Sequence, residues 1–255
     1  MLTSKKCLLT LAVLLIGFLA AALVYRVHPP GGIVAIALTT TEAVKRYTPA
    51  GTEMSWDSII VAIRSDGSIS RSIRRFRRDG TIVMDTVEIQ DQSTGRRTGI
   101  DNITRSTCTT LLPNSAAFGR VPALQPDERG DETGDLLGFH VFKTVEQHSL
   151  PDGALRIEKW IAPALNGYVL RRVDTVVHSD GRPGGFNLHE VLTVTLGAPD
   201  TQHFSVPSSY VERTPSEIAR LTPEFLEGKL PLNSILERAD RWYEQRKAVL
   251  PRNRD

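Results

Sequence analysis

Gly138-Phe139-His140-Val141-Phe142-Lys143-Thr144-Val145-Glu146 opens a stretch, ending at Pro207, that decides the fold. Its residues alternate in character. Successive side chains on extended backbone point to opposite faces, so alternation marks a half-buried strand. Leu155-Arg156-Ile157-Glu158-Lys159-Trp160-Ile161, Tyr168 to His178 and Phe186 to Leu196 continue the pattern, rich in Val, Ile, Thr and aromatic residues. Pro151-Asp152-Gly153 and Ser179-Asp180-Gly181 punctuate it as hairpin turns, because glycine takes positive φ freely and aspartate tolerates it. Four consecutive antiparallel strands are expected, and no catalytic motif lies on them.

Upstream the same grammar recurs. Ile33 to Tyr47 reads as a first strand, with Glu42-Ala43-Val44-Lys45-Arg46 as an alternative helical turn. Pro49-Ala50-Gly51, Asp66-Gly67 and Asp79-Gly80 are turns separating Trp56–Arg64, Ser68–Phe76 and Thr81–Gln90. After Gln92-Ser93-Thr94-Gly95 a weaker strand runs from Thr98 to Leu111. Pro113 to Leu136 breaks the pattern with Pro122, Pro126 and the acids Asp127, Glu128, Asp131, Glu132 and Asp135, and reads as a long surface loop between two meanders.

Both ends of the chain differ from its middle. Residues 7–25 are uncharged and mostly apolar behind Lys5-Lys6. They read either as a signal anchor, which needs about 20 apolar residues to cross a bilayer, or as a cleaved signal peptide with Ala20-Ala21-Ala22 as the cleavage site. Either reading leaves the lysines inside and residues 26–255 outside the cytoplasm. The expected location is therefore the inner membrane with a periplasmic domain, or the soluble periplasm after cleavage. After Pro207, Thr214-Pro215-Ser216-Glu217 and Thr222-Pro223-Glu224 each place proline where a helix starts. Ser234-Ile235-Leu236-Glu237 matches a capping box, and Ile235, Ala239, Trp242 and Val249 form an apolar stripe at helical spacing.

The expected fold is mainly β: a curved antiparallel sheet, a meander or half-barrel, with C-terminal helices and an N-terminal membrane or signal helix. The expected divisions are residues 1–25 as anchor or signal, 26–53 as linker and first strand, 54–212 as the β domain and 213–255 as helices.

The 255-residue chain is 40% hydrophobic and 24% charged, an ordinary globular composition. Its net charge of +2 comes from Lys5 and Lys6; without them 29 basic residues face 29 acidic ones. That balance gives no basic footprint for nucleic acid. Cys7 and Cys108 lie in unrelated contexts and are expected to form no intramolecular disulfide; a single downstream thiol fits no metal spacing.

Chemistry-bearing motifs are few. The chain lacks Gly-x-Ser-x-Gly, Ser-x-x-Lys, Gly-x-x-x-x-Gly-Lys, His-Glu-x-x-His and Cys-x-x-Cys. On Phe186–Leu196 strict alternation puts Glu190 on the apolar face with Phe186, Leu188, Leu192, Val194 and Leu196, and His189 on the other. A carboxylate on that face is a candidate acid or base of raised pKa, or else Glu190 pairs with a neighbouring-strand base such as Arg172 or Lys159, or faces an open sheet surface. The histidines His28, His140, His148, His178, His189 and His203 show no metal-binding spacing. Arg64, Arg71, Arg74, Arg75, Arg77 and Arg78 suit anionic head groups or a cell-wall polymer, but Asp57, Asp66, Asp79 and Asp85 offset them as on a solvated face. The acidic loop lacks calcium-loop order, and Trp160 reads as a core residue.

Trp160-Ile161-Ala162-Pro163, Glu190-Val191 ahead of Gly197-Ala198-Pro199, Phe204-Ser205-Val206-Pro207 and Tyr210-Val211-Glu212 resemble a family of uncharacterised exported bacterial proteins of acidobacterial type. The strand order is similar to the half-barrels of LolA-like lipoprotein carriers over residues 54–215. These are turn and packing residues, so the resemblance implies a fold and assigns no functional residue. Catalytic, metal and cofactor residues are expected to be none, and the ligand-binding residues are not assigned. The readings carried forward are a non-enzymatic extracytoplasmic β domain holding a lipid-like ligand, an envelope interaction or signalling domain on a tether, and an enzyme of unrecognised type. The partners expected are the membrane through residues 7–25, a hydrophobic ligand or an envelope protein, and no nucleic acid.

Overall fold

The computed structural model describes residues 33–112, 120–121, 132–221, 240, 241 and 244. The apolar segment at 7–25, the capping box at Ser234 and most of the acidic loop lie outside the described residues. No described helix is long and apolar enough to cross a membrane.

Fourteen strands are described. They are β1 (Ile33–Val34), β2 (Leu38–Tyr47), β3 (Glu53–Ile63), β4 (Ile69–Arg77), β5 (Ile82–Asp91), β6 (Arg96–Asp101) and β7 (Ser106–Leu111). After them come β8 (Arg120–Val121), β9 (Thr133–Leu136), β10 (Phe139–Leu150), β11 (Gly153–Ala162), β12 (Tyr168–His178), β13 (Pro183–Leu196) and β14 (Val211–Glu212). Twelve form one sheet in the order β14-β7-β6-β5-β4-β3-β2-β13-β12-β11-β10-β9, and β1 pairs with β8 separately. The two expected meanders are therefore real, and they join where β2 pairs antiparallel with β13. All ladders of the large sheet are antiparallel except β14 on β7.

One turn recurs at four hairpins. In Arg64–Ser68, Arg77–Thr81, His178–Arg182 and Thr48–Thr52 the first residue's N–H donates to the fifth carbonyl, and the N–H of the fourth, a glycine, donates to the first carbonyl. Each of these glycines has φ near +80°, a conformation only glycine adopts without strain. In three of the four, the preceding aspartate (Asp66, Asp79 or Asp180) accepts the N–H two residues on, the local bond that makes Asp-Gly a turn signal.

The structure corrects three local expectations. The strand expected over Thr98–Leu111 is two, β6 and β7, reversed by a turn in which Arg105 takes φ +50° and Asp101 accepts the Thr104 N–H. Ile33–Tyr47, expected as one strand, is two, β1 and β2, in different sheets; residues 42–46 are strand, as the main reading had them, at the middle of the large sheet. Within the expected loop, Thr133–Leu136 is the edge strand β9. Of the expected C-terminal helices, α1 (Pro215–Arg220) is described; it starts at Pro215 as expected, and Thr214 and Glu217 close a capping box that the sequence reading did not assign.

Register shifts at Arg46/Tyr47, Arg75/Phe76, Trp160/Ile161, Thr175/Val177 and Val191/Thr193 mark β-bulges. Each adds twist and bends its strand, so five of them curve the sheet. One face, called inner here, carries the core of Leu38, Val141, Ala162, Leu165, Leu170 and Val191. The outer face carries two aromatic stacks, Tyr47 on Phe186 and Trp56 on Phe76.

Candidate functional site: the polar half of the inner face

Register fixes which side chains share the inner face. Along β3 they are Ser55, Asp57, Ile59, Val61 and Ile63; opposite them on β2 stand Arg46, Val44, Glu42, Thr40 and Leu38. On β4 the same face takes Arg77, Arg75, Ile73, Arg71 and Ile69. The face is therefore graded. Ile63, Val61, Ile59, Leu38 and Ile69 make one end mainly apolar, with Arg71 among them, while Arg46, Asp57, Arg75 and Arg77 make the other charged.

Glu42 sits at the border and is 3% exposed. Its Oε1 accepts the hydroxyls of Thr40 at 2.7 Å and Tyr168 at 2.5 Å, and its Oε2 meets His189 Nε2 at 2.7 Å. Ile59 on β3 and Val191 on β13 flank it in register. Burial alone pushes the carboxyl up. The hydrogen bond and charge of His189, with the bonds from Tyr168 and Thr40, outweigh this and hold it below the usual glutamate range. The carboxylate pins β2, β12 and β13 together through groups 126 and 147 residues away in sequence.

Asp57 is the second buried carboxylate, also 3% exposed. Two guanidiniums clamp it: Arg46 at 2.9 and 2.6 Å, Arg75 at 2.8 and 3.0 Å. Burial pushes this carboxyl up as well, and the arginine bonds and charges bring it net below its ordinary value. Farther across the inner face Arg172 pairs with Asp174 at 2.6 Å and Lys159 with Glu146 at 2.5 Å.

The bulge at Leu192 overturns the strict-alternation reading of β13. Val191 and Val194 both face Glu42 and Thr40, so His189 belongs to the inner face and Glu190 to the outer one. Glu190 pairs with a neighbouring-strand base as expected, but with Arg171 at 3.6 Å on the outer face and not with Arg172 or Lys159. Sequence reasoning paired the wrong member of His189-Glu190 with the buried side and missed Glu42 as a site residue. The basic run is dispersed: Arg75 binds Asp57, Arg74 binds Asp85, and Arg64 stacks 3.7 Å over Phe204. Trp160 packs against the core, with Lys143 and Arg171 near its ring. Glu132 pairs with Lys143, and Asp135 lies 3.5 Å from His140. No group of three potential metal ligands occurs among the described residues. Cys108 is half-buried on β7, opposite Gly99.

Fold and site together define a mainly β domain built on one large curved sheet, with a graded inner face. No family model and no curated protein matches the chain. Among solved structures it is similar to a domain provisionally described as an outer membrane lipoprotein-sorting protein from Vibrio parahaemolyticus, at 7% identity and TM-score 0.29, covering 65% of this chain and 88% of that one. A provisionally described lipoprotein from Parabacteroides distasonis matches at 9% identity and TM-score 0.29, covering 64% and 96%. A DUF1329 family protein from Desulfovibrio piger matches at 9% and TM-score 0.19, covering 67% and 90%. At such identities and TM-scores no residue role and no ligand passes to this chain.

Proposed function

We propose that the chain is an extracytoplasmic, non-enzymatic β domain that holds the apolar part of an amphiphile against its inner face. One observation carries this: the inner face runs from apolar side chains at Leu38, Ile59, Val61 and Ile63 to charged ones at Arg46, Asp57 and Arg75. From Leu38 to Arg46 is about 26 Å along the strand, which accommodates one lipid tail, about half the ~30 Å hydrocarbon core of a bilayer. The two buried carboxylates of the inner face, Glu42 and Asp57, are each satisfied by neighbouring side chains, which favours a structural over a catalytic role for them. Lys5-Lys6 and the apolar run at 7–25 support export, as an inner-membrane anchor or a cleaved signal.

Native mass spectrometry of the full chain, released gently from its source membrane, tests the reading. A fraction carrying extra mass equal to one fatty acid or phospholipid is expected. Ligand-free protein that also shows no saturable uptake of a fluorescent fatty acid contradicts it and leaves the tethered interaction domain as the better reading.

A further inference from the structure

The two ends of the large sheet are finished differently. At one end β14 lies along β7. There the Arg213 N–H donates to the Thr107 carbonyl and the Thr109 N–H to Glu212 Oε1 at 2.7 Å, so a short strand and a side chain take up that edge. At the other end β9 covers only Phe139–Phe142 of β10. The Lys143 N–H donates to the Glu132 carbonyl, and beyond it no bond on that side occurs among the described residues. In an antiparallel ladder each residue sends its N–H and C=O to one side, and successive residues alternate. Lys143 points away from β11, so Val145, Gln147 and Ser149 do too. All three are exposed, Val145 by 52%. The register with β11 runs from Phe142 to Leu150 without a shift, so no bulge twists this edge away, and it holds no proline. Those are the devices that usually blunt an open edge.

This edge is complementary to itself. When two copies of β10 run antiparallel about a two-fold axis, outward-pointing residues must face outward-pointing residues. An axis at Glu146 sets Glu146 against the partner's Glu146, and an axis at His148 sets His148 against the partner's His148; each pairs only two outward residues per copy. An axis at Gln147 pairs Val145 with the partner's Ser149, Gln147 with the partner's Gln147, and Ser149 with the partner's Val145. Each of these three gives one N–H and one C=O, so this register makes six backbone bonds. It also sets Glu146 opposite the partner's His148 on both sides of the axis, at the non-hydrogen-bonded positions where cross-strand side chains come closest. Both side chains are reachable, at 44% and 57% exposure. Glu146 meets Lys159 through Oε1, and its Oε2 lies toward His148 of its own chain at 3.5 Å. The partner's Pro151, which has no N–H, falls opposite Lys143, whose N–H is already taken, so the ladder ends where β9 begins.

We infer that the free edge of β10 docks a second copy of this chain, antiparallel and centred on Gln147, so that the two sheets run on into one another. The pairing is independent of what the inner face holds. A single ladder is a small interface at the weak end of the range, so the full chain in detergent is expected to be monomeric at about 1 µM and largely dimeric at about 500 µM by sedimentation velocity. Gln147→Pro removes an outward N–H and no bond to β11, as prolines on edge strands do; it is expected to abolish the dimer while the dilute monomer melts near the wild-type temperature. His148→Glu sets like charges across both flanking pairs and is expected to weaken the dimer about 3- to 10-fold, whereas His148→Lys keeps it. Mild oxidation is expected to cross-link Gln147→Cys to its own copy, because facing Cα atoms of a hydrogen-bonded pair lie about 5.5 Å apart, within disulfide reach. Ser149→Cys faces the partner's Val145 and is expected to stay at the background that Cys7 and Cys108 give the wild-type chain. A monomer at every concentration, or a dimer untouched by Gln147→Pro and His148→Glu, overturns the inference. Equal cross-linking at positions 147 and 149 overturns it as well. A monomer whose Val145, Gln147 and Ser149 amides resist hydrogen exchange shows that some other strand occupies the edge, and also overturns it.

Discussion

Replacing Glu42 with alanine is expected to lower the melting temperature by about 6–20 °C. The carboxylate is buried, and its removal strands His189, Tyr168 and Thr40 without their acceptor. Breaking a buried charged pair by deleting one partner costs about 3–5 kcal/mol, and each kcal/mol shifts the midpoint of a domain this size by about 2–4 °C. The pH dependence has a definite sign. The folded carboxyl is held below the ordinary glutamate value of about 4.5, so the unfolded chain takes up a proton first as the solution is acidified. The pair's contribution is complete above about pH 4.5 and is lost as pH falls through the depressed folded value. Glu42→Gln, which keeps the shape and can still accept from one hydroxyl, should cost less and should flatten this part of the acid limb. Melting curves from pH 3 to 7 on the three proteins test it. A Glu42→Ala protein as stable as wild type throughout would show that the cluster does not hold the strands together.

Asp57→Ala is the second large effect. It leaves Arg46 and Arg75 facing one another across an empty position, each about three-quarters buried. The expected loss is about 3 kcal/mol at low salt, the lower end for a broken buried pair because both guanidiniums keep some contact with water. Repulsion between two cations is screened within about 10 Å at 0.1 M salt, so the deficit should shrink as salt is added. Urea midpoints at low and high salt measure this. A salt-independent deficit would mean that lost packing, and not unpaired charge, is responsible.

Where the sequence carries its signal locally, it predicts the fold well. Asp66-Gly67, Asp79-Gly80 and Asp180-Gly181 name their own turns, because the aspartate bond and the glycine φ are both set within five residues. The alternation in β10 to β13 follows from the pleat. The turn between β6 and β7 was not legible, since Arg105 takes a positive φ that its side chain gives no hint of. Nor was the bulge at Leu192, which leaves composition unchanged and yet moves His189 to the inner face. Glu42 was invisible for another reason. Its partners come from β12 and β13, and only the β2–β13 pairing that joins the two meanders brings them near. Alternating patterns define strands, but the long-range order of strands is set by the whole sheet.

The graded inner face is most directly tested by methyl NMR of the full chain with labelled isoleucines, titrated with dodecanoate. Ile59, Ile63, Ile69 and Ile73 lie on the inner face, while Ile60 is on the outer side of β3. Saturable shifts at Ile59, Ile63 and Ile73, with Ile60 unmoved, are the predicted result. Shifts confined to Ile60, or none at any inner isoleucine when ligand is in excess, would contradict it.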